Sequence, residues 1–341
     1  MRHTAVADRW TPALFLIAVS VGLTLTCVKS SVAAESAKSV YLLGSNAQMS
    51  GFAPAPGAYF YDLNYFYSGT ASGEAANGVL LPGVGDVEVS ARLSLESIAV
   101  ITVPTFLWVP ESPVLGGRIG FGVLAPIGWQ QVDATVVATA ALMLPDGSQY
   151  PIGASFGLDD NTTAFGDPLL TAFIGWDAGN WHSKISGLLN VPIGSYDKQN
   201  IVNMGFNRWA FDASGAVTWF DPTIGFEVSL AAGFTFNGEN PDTDYRTGTE
   251  FHVEYALMRH FADQFSAGVA GYYYDQISAD SGEGAILGGF EGQVAAIGPN
   301  LTYNFQVGDS AVAANLRWLH EFAAVNRTQG DAAFGTLTIP F

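Results

Sequence analysis

The feature that most constrains the fold is a period-two alternation of apolar and polar residues that recurs along the chain. Within residues 87–95, apolar side chains alternate with Glu88, Ser90 and Arg92. Successive side chains of a β-strand point to opposite faces, so this segment predicts a strand with one apolar and one polar face. A face that carries Glu88 and Arg92 must meet water or a polar interior, because burying unpaired charge in a dry core is costly.

The final eleven residues repeat the pattern. From Gly335 onward, every second residue falls on one mostly apolar face, which ends at Phe341. A terminal strand of this kind resembles the closing strand of bacterial outer-membrane β-barrels, in which the final aromatic residue is the signal read by the barrel assembly machinery. The alternative is the edge strand of a soluble β-sandwich.

The composition favours the membrane over the sandwich. Only 13% of the residues are charged, whereas 49% are hydrophobic and 13% aromatic. A soluble protein carries about 25% charged residues, and a lipid-facing surface explains the deficit. After residue 34 the sequence has no uninterrupted apolar run of the ~18 residues that a spanning helix needs. Backbone hydrogen bonds must be satisfied within lipid, so we predict an all-β transmembrane antiparallel β-barrel.

The first residues have the features of a targeting segment. Arg2 and Arg9 precede an apolar run, and Ala34 ends a small-residue cleavage site. We expect a secretory signal peptide over residues 1–34 and hence a barrel in the bacterial outer membrane. Cleavage there removes Cys27, the single cysteine, so we expect no disulfide, thiol catalysis or cysteine-bound metal.

The charge balance excludes one class of partner. The chain has 13 Lys and Arg against 31 Asp and Glu, a formal net charge of −18. Nucleic acid is therefore not an expected partner, because phosphate backbones are bound by basic surfaces. The expected partners are outer-membrane lipid, the barrel assembly machinery and a small hydrophobic or aromatic ligand. A closed barrel has no free sheet edge, so we expect a monomer.

Long and short connections alternate along the predicted strands, as in outer-membrane barrels with long outer loops and short periplasmic turns. Residues 35–57 lack strand periodicity and form an N-terminal arm, either a partial plug or a flexible lead-in, ahead of a barrel over residues 58–341. About 14 strands are predicted, at residues 58–68, 86–95, 98–108, 117–127, 130–143, 168–178, 181–192, 208–219, 223–236, 248–258, 263–274, 290–305, 311–323 and 331–341. Twelve is the alternative, because the turn signals at Glu96-Ser97 and Gly128-Trp129 are weak.

The alternation also predicts which polar side chains face the interior. In the first strand the tyrosines are assigned to the lipid face, which places Phe60 and Phe66 inward as apolar contacts. The interior is either an ion-paired structural filling or a polar transport path. The predicted lumen-lining residues are Asp62, Glu88, Arg92, Lys184, Asp212, Glu227, Glu250, His252, Glu254, Arg317 and Glu321.

Loop motifs carry a family resemblance. They are Gly166-Asp167-Pro168, Pro192-Ile193-Gly194-Ser195-Tyr196-Asp197, Asn203-Met204-Gly205-Phe206-Asn207-Arg208-Trp209, Asn237-Gly238-Glu239-Asn240, Thr243-Asp244-Tyr245-Arg246-Thr247-Gly248, Asp275-Gln276, Asp280-Ser281-Gly282 and Gly298-Pro299-Asn300. With Pro56-Gly57 and the tyrosine-rich strand after it, this ordered set resembles the outer-membrane "meta-pathway of phenol degradation" (SphA-like) family over about residues 50–341.

The resemblance implies an outer-membrane channel for uptake of small hydrophobic or aromatic compounds, without catalysis. A barrel that does not transport, and instead displays surface loops or stabilises the envelope, is the alternative. Physically, the motif residues predict turn architecture, because Gly and Pro fix turns and Asp caps them. Asp167, Asp197, Asp244 and Asp280 could also gather around a Ca²⁺ ion, although none lies in a known calcium loop.

No catalytic, cofactor or metal site is predicted. None of the five histidines is followed two positions later by Ser, as in the lipid hydrolases of the outer membrane, and no Gly-rich phosphate loop is present. His252 shares a strand face with Glu250 and Glu254, a set that is predicted to line the lumen rather than to hold a metal. Tyr272, Tyr273 and Tyr274 are further candidate apolar contacts.

Overall fold

A computed structural model describes residues 38–81, 85–143, 149–261, 264–285 and 289–341, and for residues 74–89, 91 and 141–152 it describes at most the backbone. The predicted signal peptide lies outside the described residues. Within the described part of the chain, no helix is long and apolar enough to span a membrane.

The described residues form strands with short turns between most of them. The strands are β1 (Gly57–Leu81), β2 (Gly85–Val109), β3 (Arg118–Leu124), β4 (Ile127–Met143), β5 (Gln149–Phe165), β6 (Leu169–Ala178), β7 (Trp181–Asn190), β8 (Ala210–Asp221), β9 (Phe226–Asn237), β10 (Glu239–Asn240), β11 (Tyr245–Arg246), β12 (Glu250–His260), β13 (Phe265–Gln276), β14 (Gln293–Val307), β15 (Ser310–Val325) and β16 (Gln329–Pro340). The predicted all-β architecture is confirmed.

One 14-stranded sheet closes on itself. Its order is β1-β16-β15-β14-β13-β12-β9-β8-β7-β6-β3-β2-β4-β5, and β1 also pairs with β2. The β1–β2 pairing closes a ring of twelve strands, outside which β4 and β5 continue the sheet from β2. The two predicted strand numbers therefore describe the same sheet, 14 as its strands and 12 as its closed ring. β10 and β11 form a separate small hairpin.

Two predicted turns are wrong. Glu96-Ser97 lies within β2 and Gly128-Trp129 lies within β4. β3 and β4 both pair with β2, and the interruption between them, at Ala125 and Pro126, keeps a ladder bond from Ala125 N to the Pro104 carbonyl oxygen of 3.0 Å. The chain therefore continues along one edge of β2 instead of reversing. Residues 149–165, predicted as a loop, form β5, which pairs with β4.

The described residues fall into two compact units. The first comprises Thr70–Glu96 and Asp133–Asp159, which are parts of β1, β2, β4 and β5. Ser90 Oγ and Thr139 Oγ1 lie 2.7 Å apart there, in a hydrogen bond between β2 and β4. The second unit holds the N-terminal arm, here defined as residues 38–56, and the remaining parts of the ring strands.

Alternation along the ring strands separates an outer from an inner face. In β9 and β12 every second side chain is buried, including Glu227, Glu250 and Glu254, whereas Phe226 and Leu230 are exposed. The register pairs β9 with β12 through Glu250↔Thr235 to Arg259↔Phe226. In β16 the inward Phe334 is buried and Leu337 is exposed, as the predicted alternation requires.

The face assignment of β1 is corrected by the structure. Tyr67 is 9% exposed and its hydroxyl donates to Glu321 over 2.9 Å, whereas Phe66 is 47% exposed. The tyrosines therefore face the interior, and Phe60, Asp62 and Phe66 lie on the opposite face. The prediction failed because a row of tyrosines suits an interfacial girdle as well as an interior whose carboxylates accept their hydroxyls.

Candidate functional site: the arm inside the ring

The arm crosses the interior of the ring. At its beginning, Lys38 Nζ donates to the Asn203 carbonyl oxygen over 2.8 Å and also contacts Gln130. Near its end, Arg118 Nη2 donates to the Ala53 carbonyl oxygen over 2.9 Å. Asn203 lies in the long β7–β8 connection, and Arg118 bonds Asp177 beside the short β6–β7 turn. The arm therefore runs from the end of the ring with long loops, the long-loop end, to the opposite short-turn end.

Buried carboxylates hold the backbone of the arm. Glu254 accepts the Gly44 N–H over 2.8 Å with Oε1 and the Asn46 N–H over 2.7 Å with Oε2. Glu227 Oε1 accepts the Met49 N–H over 2.6 Å. Both glutamates are 0% exposed. A segment without strand partners must satisfy its amides elsewhere, and carboxylates on the ring wall supply strong acceptors.

Two aromatic stacking contacts hold the arm at two points along its path. One is nearer the long-loop end and the other is nearer the short-turn end. The Tyr41 ring stacks on the His252 imidazole with centroids 3.6 Å apart and 17° between planes. The Phe52 ring stacks on the His182 imidazole at 3.6 Å and 21°. We call these pairs the upper clamp and the lower clamp. Burial, and then the charge of Glu254, raises the pKa of the Tyr41 hydroxyl well above its ordinary value, so Tyr41 is neutral.

Each clamp histidine is held by an aspartate. Nε2 of His252 lies 2.8 Å from Oδ2 of Asp212, which also accepts the Thr235 hydroxyl over 2.7 Å. Nδ1 of His182 lies 2.5 Å from Oδ1 of Asp177. In both clamps the carboxylate fixes the plane of the imidazole, so the arm ring meets a preset flat surface.

Glycine permits the upper clamp. A Cβ on Gly233 would lie 2.7 Å from Nε2 of His252 and would overlap the Ser214 hydroxyl, which bonds Asp212. Gly233 pairs directly with His252 across β9 and β12. Any larger residue would therefore displace the imidazole from Asp212.

The interior has two chemically different halves. The polar half comprises the inward residues of β7, β8, β9 and the beginning of β12, with Asp212, Thr218, Glu227, Glu250 and Glu254 buried. The apolar half comprises the inward residues of β13–β16 and β1. Its buried members form one cluster with the arm residues Tyr41 and Leu43, and the cluster includes Tyr67, Tyr272, Tyr274, Val294, Ala296, Leu319, Ala332 and Phe334.

Charged groups in the apolar half bind tyrosine hydroxyls or the arm. Glu321 accepts the hydroxyls of Tyr67 and Tyr272 over 2.9 and 2.6 Å. Arg317 lies over the Phe334 ring at 4.8 Å and donates to the Ser45 carbonyl oxygen of the arm over 3.3 Å. The Glu321 carboxylate and Nη2 of Arg317 therefore have partners, as burial requires.

Small residues make room for the arm. The inward side chains Ala256, Ala270, Ala296 and Ala332 are almost fully buried against the cluster that contains Leu43. Gly44 turns the arm at φ +84°, where a Cβ would lie 2.8 Å from Cδ1 of Leu319. The sequence thus leaves space in the ring that the arm then fills.

At the long-loop end, the surroundings of Lys38 shift its pKa. Burial, and then the charge of Arg208, lowers the pKa of Lys38 to about 8. The amine keeps its bond to the Asn203 carbonyl oxygen in either protonation state, because a neutral amine also donates.

The loop motifs form two separate hydrogen-bonded clusters, each built on one aspartate, which we call knots. In the first, Asp167 accepts the Gly194 N–H over 2.7 Å, the Phe206 N–H over 2.8 Å and the Asn190 amide over 2.9 Å. A Cβ on Gly194 would overlap the backbone of Gly166. Asp167 lies between β5 and β6, beside the Pro126 interruption, whose carbonyl oxygen accepts the Gly166 N–H over 2.9 Å.

The second knot is built on Asp280. Its carboxylate accepts the Gly248 N–H over 3.0 Å and the Tyr245 hydroxyl over 2.5 Å. Gly282 has φ +95°, and a Cβ there would overlap the Asp244 carbonyl oxygen. Both knots replace regular ladder bonds with bonds to one buried carboxylate, which makes these loops defined structures.

The remaining motif residues are Pro192, Asp197 and Asp244. Asp197 is exposed and accepts the Gln199 N–H over 2.9 Å, Pro192 is half-buried, and Asp244 is exposed at φ 50°. Within the described residues, no three His, Cys, Asp or Glu side chains are placed to share a metal ion. The four loop aspartates are thus not assembled into the Ca²⁺ site that was considered. Phe341 is 78% exposed, and its N–H donates to the Ala58 carbonyl oxygen over 2.9 Å.

The structure brings most predicted lumen residues together but not all. Lys184 is half-buried, with its amine 5.8 Å from the Phe173 ring. Arg92 is exposed and belongs to the first unit, the side chain of Glu88 lies outside the described residues, and Asp62 is on the outer face. The predicted lumen residues that are buried in the interior are Asp212, Glu227, Glu250, His252, Glu254, Arg317 and Glu321.

The sequence reasoning missed several partners of the arm, among them Arg118, Gln130, His182, Thr218 and Thr302. The alternation placed His182 and Thr218 in strands, but their role depends on arm residues far away in sequence. The arm itself carried a signal, since Tyr41-Leu42-Leu43 is an apolar triplet followed by Gly44. Such a triplet is out of place in a solvated lead-in.

The closed antiparallel ring, its outward apolar face and its occupied interior define a β-barrel of the outer-membrane type. The chain belongs to the family described as "Putative MetA-pathway of phenol degradation", whose profile matches residues 88–337. The resemblance seen in the loop motifs is thereby confirmed. No match was found among curated protein sequences.

Two solved structures are similar to this chain to different degrees. The COG4313 outer membrane channel from Pseudomonas putida F1 has a TM-score of 0.57 and 15% identity, over 88% of this chain and 100% of that chain. A FadL homologue from Pseudomonas aeruginosa gives a TM-score of 0.34 and 11% identity, over 83% of this chain and 88% of that chain.

Proposed function

We propose that this protein is an outer-membrane channel that admits small hydrophobic or aromatic compounds and performs no covalent chemistry. The observation that carries the proposal is that one segment, the arm, crosses the interior of the ring. The wall contributes small side chains and acceptors for the arm's amides, so the ring can remain intact when the arm leaves.

The chemistry of the two halves supports the ligand class. The apolar half offers Tyr67, Tyr272 and Tyr274 rings, with Glu321 and Glu250 at their hydroxyls. A small apolar or aromatic molecule would find ring surface there, and a hydroxyl on it would find a carboxylate. The family description names phenol degradation, which supports the ligand class, and the similar solved structure is an outer membrane channel, which supports transport.

The proposed partners follow from the architecture. Exposed Leu230, Leu316 and Phe234 face outer-membrane lipid, and the barrel assembly machinery would read the strand that ends at Phe341. The export of the chain through a cleaved signal peptide and its monomeric state are part of the same proposal.

Conductance of purified protein in planar bilayers tests channel formation. The full mature chain is compared with a variant that lacks residues 38–54. We expect steady conductance to be small in the full chain and at least several-fold larger in the deletion variant. Equal, negligible conductance in both would overturn the channel.

Uptake tests the ligand class. A strain without the gene is compared with the same strain carrying the gene, on limiting phenol and on limiting succinate as sole carbon source. We expect the gene to speed growth on phenol and to leave growth on succinate unchanged. No difference on phenol, together with normal conductance, would remove the aromatic substrate and leave the channel.

A second function rests on a different observation. The arm occupies the ring along its length, and the Asp167 and Asp280 knots stiffen the long loops. These features favour a barrel that displays fixed loops without transport. Absent conductance in both proteins, with surface accessibility of the loops in intact cells, supports this alternative.

A further inference from the structure

The upper clamp is the part of the interior where the arm most resembles a ligand. Tyr41 presents a phenol ring to a histidine that is 1% exposed, face to face at 3.6 Å. In this contact the arm supplies the Tyr41 side chain and the barrel wall supplies the histidine. His252, Asp212 and Gly233 all belong to the barrel strands and hold the imidazole plane without help from the arm.

The surroundings of the Tyr41 ring fit a hydroxylated aromatic molecule. The ring belongs to the buried cluster that includes Tyr274 and Leu319, so its surroundings include apolar groups. Carboxylates border the same place, with Glu254 close enough to act on the Tyr41 hydroxyl. A flat apolar ring with a hydroxyl group matches a stacking surface beside an acceptor.

We infer that Tyr41 is an internal competitor that occupies an aromatic slot on His252, and that a small phenolic molecule takes this slot when the arm withdraws. The inference rests on the proposed channel function and deepens it, because it names where the ligand binds and what regulates access. Passage of the ligand and displacement of the arm are then coupled through one site.

The lower clamp supplies a matched contrast. Phe52 stacks on His182 at the same 3.6 Å, and His182 is also held by an aspartate. Phe52 has no hydroxyl group, however, and its imidazole lies beside the short-turn end, outside the aromatic cluster of the apolar half. Removing Phe52 should loosen the arm without opening the slot on His252.

The experiment measures binding of 4-methylphenol, the side-chain analogue of tyrosine, by isothermal titration calorimetry. The mature chain is refolded in detergent micelles, and folding is verified by its heat-modifiable mobility on gels. Tyr41→Ala is compared with the wild type and with Phe52→Ala. We expect Tyr41→Ala to lower the dissociation constant at least tenfold, and Phe52→Ala to change it less than threefold.

Three results would overturn the slot. They are equal affinity in Tyr41→Ala and wild type, an equal gain in Phe52→Ala, and equal binding of 4-methylcyclohexanol and 4-methylphenol to Tyr41→Ala. If Tyr41→Ala fails to fold, Tyr41→Leu retains apolar volume without a flat ring, and we expect it to show a smaller gain, still above wild type. No gain in Tyr41→Leu then overturns the slot.

Failure of the slot is distinguishable from failure of the channel. Conductance and growth on phenol are measured with the wild-type ring and do not depend on Tyr41→Ala. If the barrel conducts but Tyr41→Ala binds 4-methylphenol no more tightly than the wild type, only the slot is rejected. If Tyr41→Ala binds 4-methylphenol more tightly but the barrel never conducts, the channel is rejected.

Discussion

The polar and apolar halves of the barrel interior hold the arm by different means. The polar half binds mainly backbone, through the N–H groups of Gly44, Asn46 and Met49 on two glutamates, and its two clamp histidines stack on arm rings. The apolar half binds mainly side chains, through Leu43 and its neighbours in the cluster, and bonds one backbone carbonyl oxygen, that of Ser45. Backbone amides are shared by nearly all residues, so the polar half fixes the path of the arm. Side-chain packing depends on shape, so the apolar half decides what else can take the arm's place.

The largest effect is expected in the polar half. Glu254→Ala removes the acceptor of one buried and one partly buried amide, and each unsatisfied group costs about 1–3 kcal/mol. We expect the arm to become accessible to protease, with a loss of roughly 2–6 kcal/mol in the free energy of unfolding. Urea titration in detergent and limited proteolysis measure both.

Two controls sharpen that result. Glu254→Gln keeps one acceptor oxygen, so its effect should be intermediate. Glu283→Gln changes an exposed loop carboxylate and should be silent. A protected arm in Glu254→Ala would contradict the role of the carboxylate.

The next effect belongs to the apolar half. Leu319→Ala removes a side chain that is 0% exposed, and such truncations cost about 2–5 kcal/mol. We expect the barrel to lose stability while the arm remains bound by Glu254 and Glu227. Leu316→Ala is the matched control on the same strand, because Leu316 is 64% exposed on the outer face. Equal losses in the two variants would argue against an enclosed apolar half.

A smaller effect is expected at the turn between the halves. Gly44→Ala places a Cβ at φ +84° near Leu319, and a left-handed conformation costs other residues about 1–2 kcal/mol. We expect a modest rise in protease sensitivity of the arm. Gly308→Ala, also at positive φ but with open space around it, controls for the backbone cost alone.

A pH dependence is expected at the beginning of the arm. The pKa of Lys38 is about 8 when the arm is docked, against 10.5 ordinarily. The undocked arm therefore binds more protons between pH 8 and 10.5, and docking should strengthen as pH rises through this window. Protease protection of the arm measured from pH 7.5 to 10 tests the slope, which Lys38→Met should flatten. A slope of opposite sign would contradict the burial of Lys38.

The sequence pattern predicted the strands of the barrel better than the path of the arm inside it. Alternation identified the inward carboxylates of β9 and β12, because a two-residue period is a local property. It could not identify the arm's path, since Gly44 and Glu254 are far apart in sequence and meet only after the ring has closed. In β1 the pattern gave the two faces but not which was inward, because tyrosine suits both an interface and an interior with acceptors.

Strand interruptions show a second limit. Pro126 and Gly166-Asp167-Pro168 contain the residues that usually announce turns. In the structure they interrupt neighbouring strands side by side, and Asp167 satisfies the local amides instead. Only the pairing of β2 with both β3 and β4 reveals that the chain does not reverse there.

The most direct test of the central claim is amide hydrogen exchange of the arm in the folded barrel. If buried glutamates hold its backbone, the amides of Gly44, Asn46 and Met49 exchange orders of magnitude more slowly than exposed loop amides, and Glu254→Ala releases the first two. Rapid exchange at all three positions in the wild-type barrel would contradict the account.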